Sequence, residues 1–325
     1  MNKLHVAVLM GGPSAESAVS LRSGAAVAAA LEQSGMQVTT VTVAGPDFKL
    51  PRGVDAVFVA MHGTFGEDGT VQQILEERGM AYTFSGPAAS ALAFDKQRAK
   101  RQFVADGVLT PRYEAIDRAA QDFTRLERLK LPLVVKPCRQ GSSVGVTIVR
   151  KMSDLPAAVK AAGEYDERVL VEQFIEGREL TIAILEDQAL PVIEVCPKEE
   201  FFTYEAKYTP GQTDYLVPAP LDDELKNRAQ TAALRAHQSL GCRDLSRVDL
   251  ILAESGKVHV LEVNTVPGFT GTSLVPKAAQ AAGIGFPQLC SRLVKLAQAR
   301  RRNPAGAIPV VQAARLLEAR QLEAV

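Results

Sequence analysis

The chain has 325 residues, with 37 lysines and arginines against 37 aspartates and glutamates, and 46% of its residues are hydrophobic. This length predicts two or three domains, and a composition near the globular average excludes a disordered, collagen-like or disulfide-stapled chain. A formal net charge of zero argues against general attraction to nucleic acid or to an anionic membrane. Any bound anion must therefore be held by local cations and backbone amides.

The cysteines and the lengths of the apolar runs indicate the cellular compartment of the protein. The four cysteines contain no CxxC pair, so neither a zinc ribbon nor a redox dithiol is indicated. The apolar run at residues 6–10 is too short for a signal peptide, and no run approaches the roughly 20 residues of a membrane span. We therefore predict a cytoplasmic protein without nucleic-acid or membrane partners.

The N-terminal part alternates apolar strands with helices. Near-continuous apolar strands separated by helices are typical of a parallel sheet covered on both faces, and ligands of such sheets bind at the carboxyl ends of the strands. Residues 11–16 and 62–69 occupy two of those ends. The predicted strands are 4–9, 38–43, 54–59 and a fourth around 82–84, with helices at 19–31 and 69–78.

Two further segments follow along the chain. The central segment has strands 133–136, 144–149 and 168–172 and helix 153–162, after helical stretches from residue 87 and at 95–106. The third has strands 179–185, 191–195, 248–253 and 257–263, a polar loop 197–220, helix 222–240 and helices within 274–302. We predict boundaries at 1–93, 94–178 and 179–302, with residues 303–325 as a C-terminal extension.

A Gly/Ser-rich loop between two strands, residues 136–145, is a candidate phosphate site. Such turns expose several backbone N–H groups in one concavity, and Lys136 adds a cation at the end of an apolar strand. An ordinary hairpin with a lysine that extends to solvent explains the residues equally well. The spacing is that of neither a P-loop nor a dinucleotide-binding fingerprint.

Three hard oxygen ligands lie in otherwise apolar strands. Asp249 precedes a hairpin, and Glu262 and Asn264 follow it, two residues apart and so on the same side of their strand. Two carboxylates and an amide suit Mg²⁺. The alternative is a buried ion pair such as Arg247 with Asp249, but three clustered acceptors need more than one cation, which favours a metal.

Three other segments give weaker signals. His62 stands at a strand end before three glycines, which permit close approach of a small ligand, but a lone histidine is more often structural. Glu16 follows the first strand and could simply favour the positive end of its own helix. The aromatic and polar loop at 202–215 has the length of a lid or of a surface loop.

Taken together and in order, these segments resemble the D-alanine–D-alanine ligases of the ATP-grasp superfamily over residues 3–302. The segments are GGPSAE (11–16), HGTFGEDG (62–69), FDK (94–96), KPCRQGSSVG (136–145), YEAKY (204–208), RVD (247–249) and EVNTVPG (262–268). The resemblance implies an ATP-grasp fold of mixed α/β and α+β class. Its parts are an N-terminal Rossmann-like parallel-sheet domain, a small central lid domain and a C-terminal domain.

The resemblance also implies an activity. It is that of an ATP-dependent acid–D-amino-acid ligase, which joins two D-alanines through an acyl phosphate for peptidoglycan precursor synthesis. The alternative is the D-Ala-D-lactate variant or another ATP-grasp carboxylate–amine ligase. Members of the family usually form homodimers, so the resemblance also implies a homodimer.

Roles toward ATP and metal follow from the same resemblance. The magnesium ligands, normally for two ions with Mn²⁺ as a substitute, match Asp249, Glu262 and Asn264. Gln173 stands at an adenine contact where the family often has a lysine. The ATP residues comprise Lys96, Lys136 and Lys207 for phosphates, Ser142, Ser143 and Val144 in the covering loop, Glu172, Gln173 and Ile175 for adenine, and Glu179 for ribose.

Roles toward the amino-acid substrates are implied in the same way. The oxyanion would be stabilised by Arg247 and the backbone N–H of Gly268. Glu16 would bind the ammonium group of the first D-alanine, with His62 beside it. Ser273 and Leu274 would bind the carboxylate of the second D-alanine. The hydrogen-bond link from Glu16 to the lid would run through Ser142 and Tyr208.

The sequence argues against two functions from other classes. A dinucleotide-dependent oxidoreductase needs GxGxxG after the first strand, and residues 11–16 lack that spacing. A non-catalytic binding protein is disfavoured because every charged position that the ligase chemistry requires is filled. Residues 303–325 receive no function.

Overall fold

A computed structural model describes residues 3–120, 122–142, 144–198 and 212–302. No helix within these residues is long and apolar enough to cross a membrane. The helices are α1 (Ser17–Gln33), α2 (Thr70–Glu77), α3 (Pro87–Phe94), α4 (Lys96–Ala105), α5 (Leu155–Gly163), α6 (Asp223–Ser239), α7 (Leu274–Ala281) and α8 (Phe286–Arg302).

Three separate sheets carry the described strands. The strands are β1 (His5–Gly11), β2 (Gln37–Val43), β3 (Ala56–Val59), β4 (Tyr113–Asp117), β5 (Leu133–Pro137), β6 (Thr147–Val149), β7 (Arg168–Gln173), β8 (Gly177–Leu185), β9 (Gln188–Ala189), β10 (Ile193–Pro197), β11 (Thr213–Leu216), β12 (Leu245–Ala253) and β13 (Val258–Asn264).

The N-terminal sheet is parallel, in the order β2-β1-β3. Its apolar strands β1 and β3 are almost wholly buried, as expected for a sheet covered on both faces. Part of the cover comes from the far end of the chain, since α8 contacts both α1 and β3. The core of this sheet is therefore continuous with residues from α7 and α8.

An aromatic cluster joins the N-terminal core to a loop of the C-terminal part. The ring centroid of Phe58 lies 5.4 Å from that of Phe84 and 5.6 Å from that of Phe269. Phe286 at the start of α8 lies 5.6 Å from Phe269. Because Phe269 is only 1% exposed, the segment 262–268 before it is anchored in the N-terminal core.

The central sheet is antiparallel, in the order β4-β7-β5-β6. Leu133 and Val135 pack against α5 on one face. Val134 lies opposite Glu172 in the register, and Lys136 follows Val134 by two residues, so all three side chains share the other face. That face carries the predicted nucleotide residues.

The large sheet has the order β11-β10-β8-β12-β13, with β9 beside β8. Apolar residues of β8, β12 and β13 pack against α4 and α6 on one face. The opposite face presents polar residues of β12 and β13 toward the central sheet. The three sheets agree with the predicted mixture of parallel and antiparallel parts, while the domain boundaries stay a prediction.

Local backbone conformation explains where elements differ from those predicted. The expected strand at 82–84 is reduced to one bridge between Val57 and Tyr82. Phe84 has a φ of 73°, and its N–H donates to Asp244 instead of to a neighbouring strand. Three short strands, β4, β9 and β11, were not predicted, and β11 lies within the expected loop at 197–220.

Asp244 and Arg300 join the N-terminal and C-terminal parts of the chain. Asp244, which is 7% exposed, accepts the Phe84 N–H at 3.1 Å and pairs with Arg300. Arg300 also donates to the carbonyl of Tyr82 at 2.7 Å. Burial raises the pKa of Asp244 above its ordinary value, although Arg300 opposes that rise. Arg300 therefore compensates part of the charge that Asp244 buries.

We expect Arg300→Met to lower the free energy of unfolding by about 3 kcal/mol, the low end for a broken buried pair, because Arg300 is partly exposed. The variant raises the pKa of Asp244 further, and protonation at low pH then removes the uncompensated charge. The deficit relative to the unmodified protein should thus be smaller at pH 5 than at pH 7. Urea unfolding at both values measures it. Arg301→Met, at the exposed neighbouring position, is the control, and an equal deficit there would contradict the role.

Candidate active site

The hairpin of β12 and β13 brings the predicted metal ligands together. Asp249 lies opposite Glu262 and Arg247 opposite Asn264, so the four side chains share one face. Asp249 accepts hydrogen bonds from the Thr181 hydroxyl at 2.6 Å and from the Asn264 amide at 3.1 Å. The period of two along each strand is what places them there.

The ion pair between Arg247 and Asp249, which is the alternative to a metal site, is also present. Arg247 donates to both carboxylate oxygens of Asp249, at 2.9 Å and 2.8 Å, and Lys96 lies 3.1 Å from Glu262. Burial opposes the charge on Lys96, but Glu262 outweighs it and raises the pKa of the ammonium. The pKa of Arg247 is likewise raised by Asp249 against the cost of burial.

The donor set still fits a hard divalent cation. Two carboxylates and an amide on one face offer oxygen ligands of the kind that Mg²⁺ takes together with water and phosphate. Within the described ranges, no group of three or more His, Cys, Asp or Glu is placed to hold a metal ion. A metal bound here would need further oxygen ligands, from water or from a bound phosphate.

A cavity of about 360 Å³ lies between the central and large sheets. Its apolar part includes Val134, Val146, Phe174, Ile251 and Leu261, which suits a flat base. The predicted site residues that line it are Lys96, Lys136, Ser142, Val144, Glu172, Gln173, Ile175, Glu179, Asp249 and Glu262.

Glu172 on the cavity wall is held by two lysines. One oxygen pairs with Lys136, and the other lies 2.8 Å from Lys100. Glu172 is 3% exposed, and its pKa is lowered because the two lysines outweigh the effect of burial. Lys100 was not predicted from the sequence, because it lies on α4, and the many charged residues of α4 suggest a solvent-exposed helix.

Glu16 of the N-terminal part meets the Gly/Ser loop of the central part. The Ser142 hydroxyl donates to a carboxylate oxygen of Glu16, although the two residues are 126 positions apart. Glycines allow the close approach: a Cβ at Gly63 would lie 2.8 Å from Glu16 Oε2, and one at Gly141 would lie 3.1 Å from it. Since Ser142 also lines the cavity, Glu16 adjoins the predicted phosphate loop.

His62 is 4% exposed, and both of its ring nitrogens have polar partners. Its Nδ1 lies 3.1 Å from the carbonyl oxygen of Val266, and its Nε2 lies 2.9 Å from the Ser23 hydroxyl. Glu67 lies 3.5 Å from Nδ1. Burial raises the pKa of Glu67, a hydrogen bond from His62 opposes the rise, and Glu16 adds to it.

Glu67 was not among the predicted site residues. Its position in the segment HGTFGEDG, where an acidic residue stands among glycines, is the signal that could have identified it.

The segment after β13 brings two predicted substrate residues together. A Cβ at Gly268 would lie 3.4 Å from the Ser273 hydroxyl, which also accepts the Thr270 N–H at 3.0 Å. Ser273 precedes α7, and Leu274 is its first residue. The positive end of α7 favours a carboxylate there.

Residues 104–295 match a family model described as D-ala D-ala ligase C-terminus. The D-alanine–D-alanine ligase of Syntrophotalea carbinolica is 46% identical over 304 residues, which is 93% of this chain and 98% of that protein. The chain belongs to the D-alanine–D-alanine ligase family.

Other family members agree over similar lengths. The ligase of Nitrosomonas europaea is 47% identical over 293 residues, covering 90% of this chain and 96% of that one. The crystal structure of the Bacillus anthracis D-alanine–D-alanine ligase complexed with ATP superimposes with a TM-score of 0.82 at 32% identity. It covers 93% of this chain and 99% of that one, which confirms the predicted ATP-grasp fold.

A D-Ala:D-Ser ligase from Enterococcus faecalis has nearly the same fold, with a TM-score of 0.81 at 30% identity over 91% of this chain and 100% of that one. Fold alone therefore does not select the second substrate. Three predicted site residues, Ser143, Lys207 and Tyr208, lie outside the described residues of this D-alanine–D-alanine ligase family member, as does the extension at 303–325.

Proposed function

We propose that this protein joins two D-alanines to D-alanyl-D-alanine with cleavage of ATP to ADP and phosphate, for peptidoglycan precursor synthesis. The observation that carries the proposal is the hydrogen bond from Ser142 to Glu16. It places an acid suited to a substrate ammonium group directly beside the loop that lines the nucleotide cavity. An amino acid held by Glu16 would thus present its carboxylate to the γ-phosphate of ATP.

The first step is phosphoryl transfer to that carboxylate. One carboxylate oxygen of the first D-alanine attacks the γ-phosphorus, the bond from that phosphorus to the β-phosphate oxygen breaks, and ADP leaves with the electron pair. Lys136 and Lys96, both on the cavity wall, would hold the phosphates by charge and hydrogen bonds. The product is an acyl phosphate, which converts a poor electrophile into a reactive one.

The second step forms the peptide bond. The amine of the second D-alanine attacks the acyl carbon, and the tetrahedral intermediate collapses with loss of inorganic phosphate and of one amine proton. Arg247 and the N–H of Gly268 are our candidates for donors to the oxyanion, where preorganised donors contribute most. Ser273 and Leu274 at the start of α7 would receive the second carboxylate.

Asp249, Glu262 and Asn264 are our proposed ligands for Mg²⁺, with Mn²⁺ as a substitute. Bound there with ATP, the ion would neutralise phosphate charge. Arg247 and Lys96 now compensate these carboxylates. Their cationic groups would then turn toward substrate oxygens, which suits their roles in the two steps.

The deciding experiment is a coupled ADP-release assay with Mg²⁺-ATP and D-alanine, with dipeptide measured in parallel. We expect ADP and D-alanyl-D-alanine in equal amounts, little reaction with L-alanine, and recovery by Mg²⁺ or Mn²⁺ after EDTA treatment. Adding D-lactate or D-serine tests the alternative second substrates. Absence of D-alanine-dependent ADP would refute the proposed function.

Two further properties belong to this proposal by family resemblance. We infer a homodimer and a cytoplasmic location. Light scattering coupled to size-exclusion chromatography tests the first, and a monomer at micromolar concentration would contradict it. Fractionation of cells tests the second.

A further inference from the structure

Lys100 is a completely buried lysine behind the nucleotide cavity. Its side chain is 0% exposed and is absent from the cavity wall, whereas Lys136 and Glu172 lie on that wall. Its ammonium group lies 2.8 Å from Glu172 and donates to the Thr110 hydroxyl at 2.6 Å. Thr110 donates in turn to the carbonyl of Val260 at 2.7 Å. Lys100 thus has two polar partners inside the protein and does not line the cavity.

Helix α4 directs two lysines, one turn apart, at carboxylates of two different sheets. Lys96 pairs with Glu262 of the large sheet, and Lys100 pairs with Glu172 of the central sheet. Positions i and i+4 of a helix lie on the same face. Two ion pairs from this one helix therefore join the two walls of the nucleotide cavity.

The cluster behind the phosphate site contains more positive than negative charge. Glu172 carries one negative charge and touches two ammonium groups, Lys100 and Lys136, one on each oxygen. The three side chains therefore sum to one positive charge. Without Lys100 the sum is zero, and Lys136 alone neutralises Glu172.

Holding this cation in the interior is costly. Burial lowers the pKa of Lys100 to about 8, Glu172 partly opposes that effect, and Lys136 adds to it. An apolar side chain of similar length would avoid the cost of desolvating an ammonium group. A role in packing alone therefore does not explain the residue.

We propose that Lys100 is a positioning residue that acts through Glu172 on Lys136. By binding one oxygen of Glu172 it fixes the carboxylate and weakens its hold on Lys136, which leaves the charge of Lys136 available to ATP phosphates. The inference rests on the proposed function, because it concerns the affinity of that same site for ATP.

The test compares Lys100→Met with the unmodified enzyme in the ADP-release assay. Losing a hydrogen bond to a charged group in the interior should raise KM for ATP by about tenfold or more, while KM for D-alanine stays unchanged. Lys160→Met, at an exposed helix position, is the control for loss of a lysine. An unmodified enzyme without D-alanine-dependent ADP release refutes the proposed function. An active enzyme whose Lys100→Met variant keeps its KM for ATP overturns this inference alone.

A double variant separates positioning from a role in folding. Of the three charges, Lys100→Met/Glu172→Gln keeps only that of Lys136, which lies on the cavity wall, so the chain should fold even where the single variant does not. If Lys100 acts through Glu172, adding Lys100→Met to Glu172→Gln changes KM for ATP less than about twofold, since residues in one network are non-additive. The same increase in both backgrounds would overturn the proposal.

Discussion

Replacing Arg247 by lysine should lower kcat about 100-fold or more, the effect of losing one preorganised oxyanion donor. Arg247 holds Asp249 through two parallel hydrogen bonds. A lysine keeps the charge but not the planar pair of donors, so neither the pairing nor the direction of the remaining N–H groups is preserved.

The reaction step that Arg247→Lys slows distinguishes a role in oxyanion stabilisation from a general loss of structure. If Arg247 stabilises the tetrahedral intermediate, phosphoryl transfer continues while attack by the amine slows, and the acyl phosphate is lost to water. ADP release in Arg247→Lys should then exceed dipeptide formation, whereas the two are equal in the unmodified enzyme. Arg228→Lys, at an exposed position of α6, is the control. A dipeptide-to-ADP ratio near one at nearly normal kcat would remove Arg247 from the site.

Replacing Lys136 by methionine should lower kcat/KM for ATP by roughly 100- to 1,000-fold, as expected when a cation that binds the transferred phosphoryl group is lost. Methionine keeps similar volume, and Glu172 retains its contact with Lys100. The thermal midpoint should therefore change much less than activity does.

The readout for Lys136→Met is initial ADP release over a range of ATP concentrations, with circular dichroism to check folding. KM for D-alanine should be unchanged where saturation can be reached. Lys160→Met is again the matched control. A stably folded Lys136→Met variant with normal kcat/KM for ATP would show that the phosphates are held elsewhere.

Residues on paired strands were predictable from the sequence. Asp249, Glu262 and Asn264 lie within apolar strands, and the two-residue period of a strand fixes which side chains share a face. The hairpin between them leaves only the register open, and the observed register places Asp249 opposite Glu262. Their role toward a metal is a separate matter that remains a prediction.

Contacts between distant segments were not predictable from local patterns. The bond from Ser142 to Glu16 depends on how two sheets are placed relative to each other, and Ser142 reaches it with a φ of 53°. Lys100 belongs to a helix with charges on several sides, which suggests solvent exposure, yet it is wholly buried. Its burial is set by the partners Glu172 and Thr110, which belong to other elements.

Because α8 packs on the N-terminal sheet, the core of that sheet is completed only after the C-terminal helix has been synthesised. β1 and β3 leave the ribosome first, but the helix that contacts α1 and β3 spans Phe286–Arg302. Until those residues emerge, part of the first core is exposed to water, and exposed apolar strands aggregate readily. We therefore expect chains halted before α8 to bind a hydrophobic dye and chaperones, and the released full-length chain to lose both.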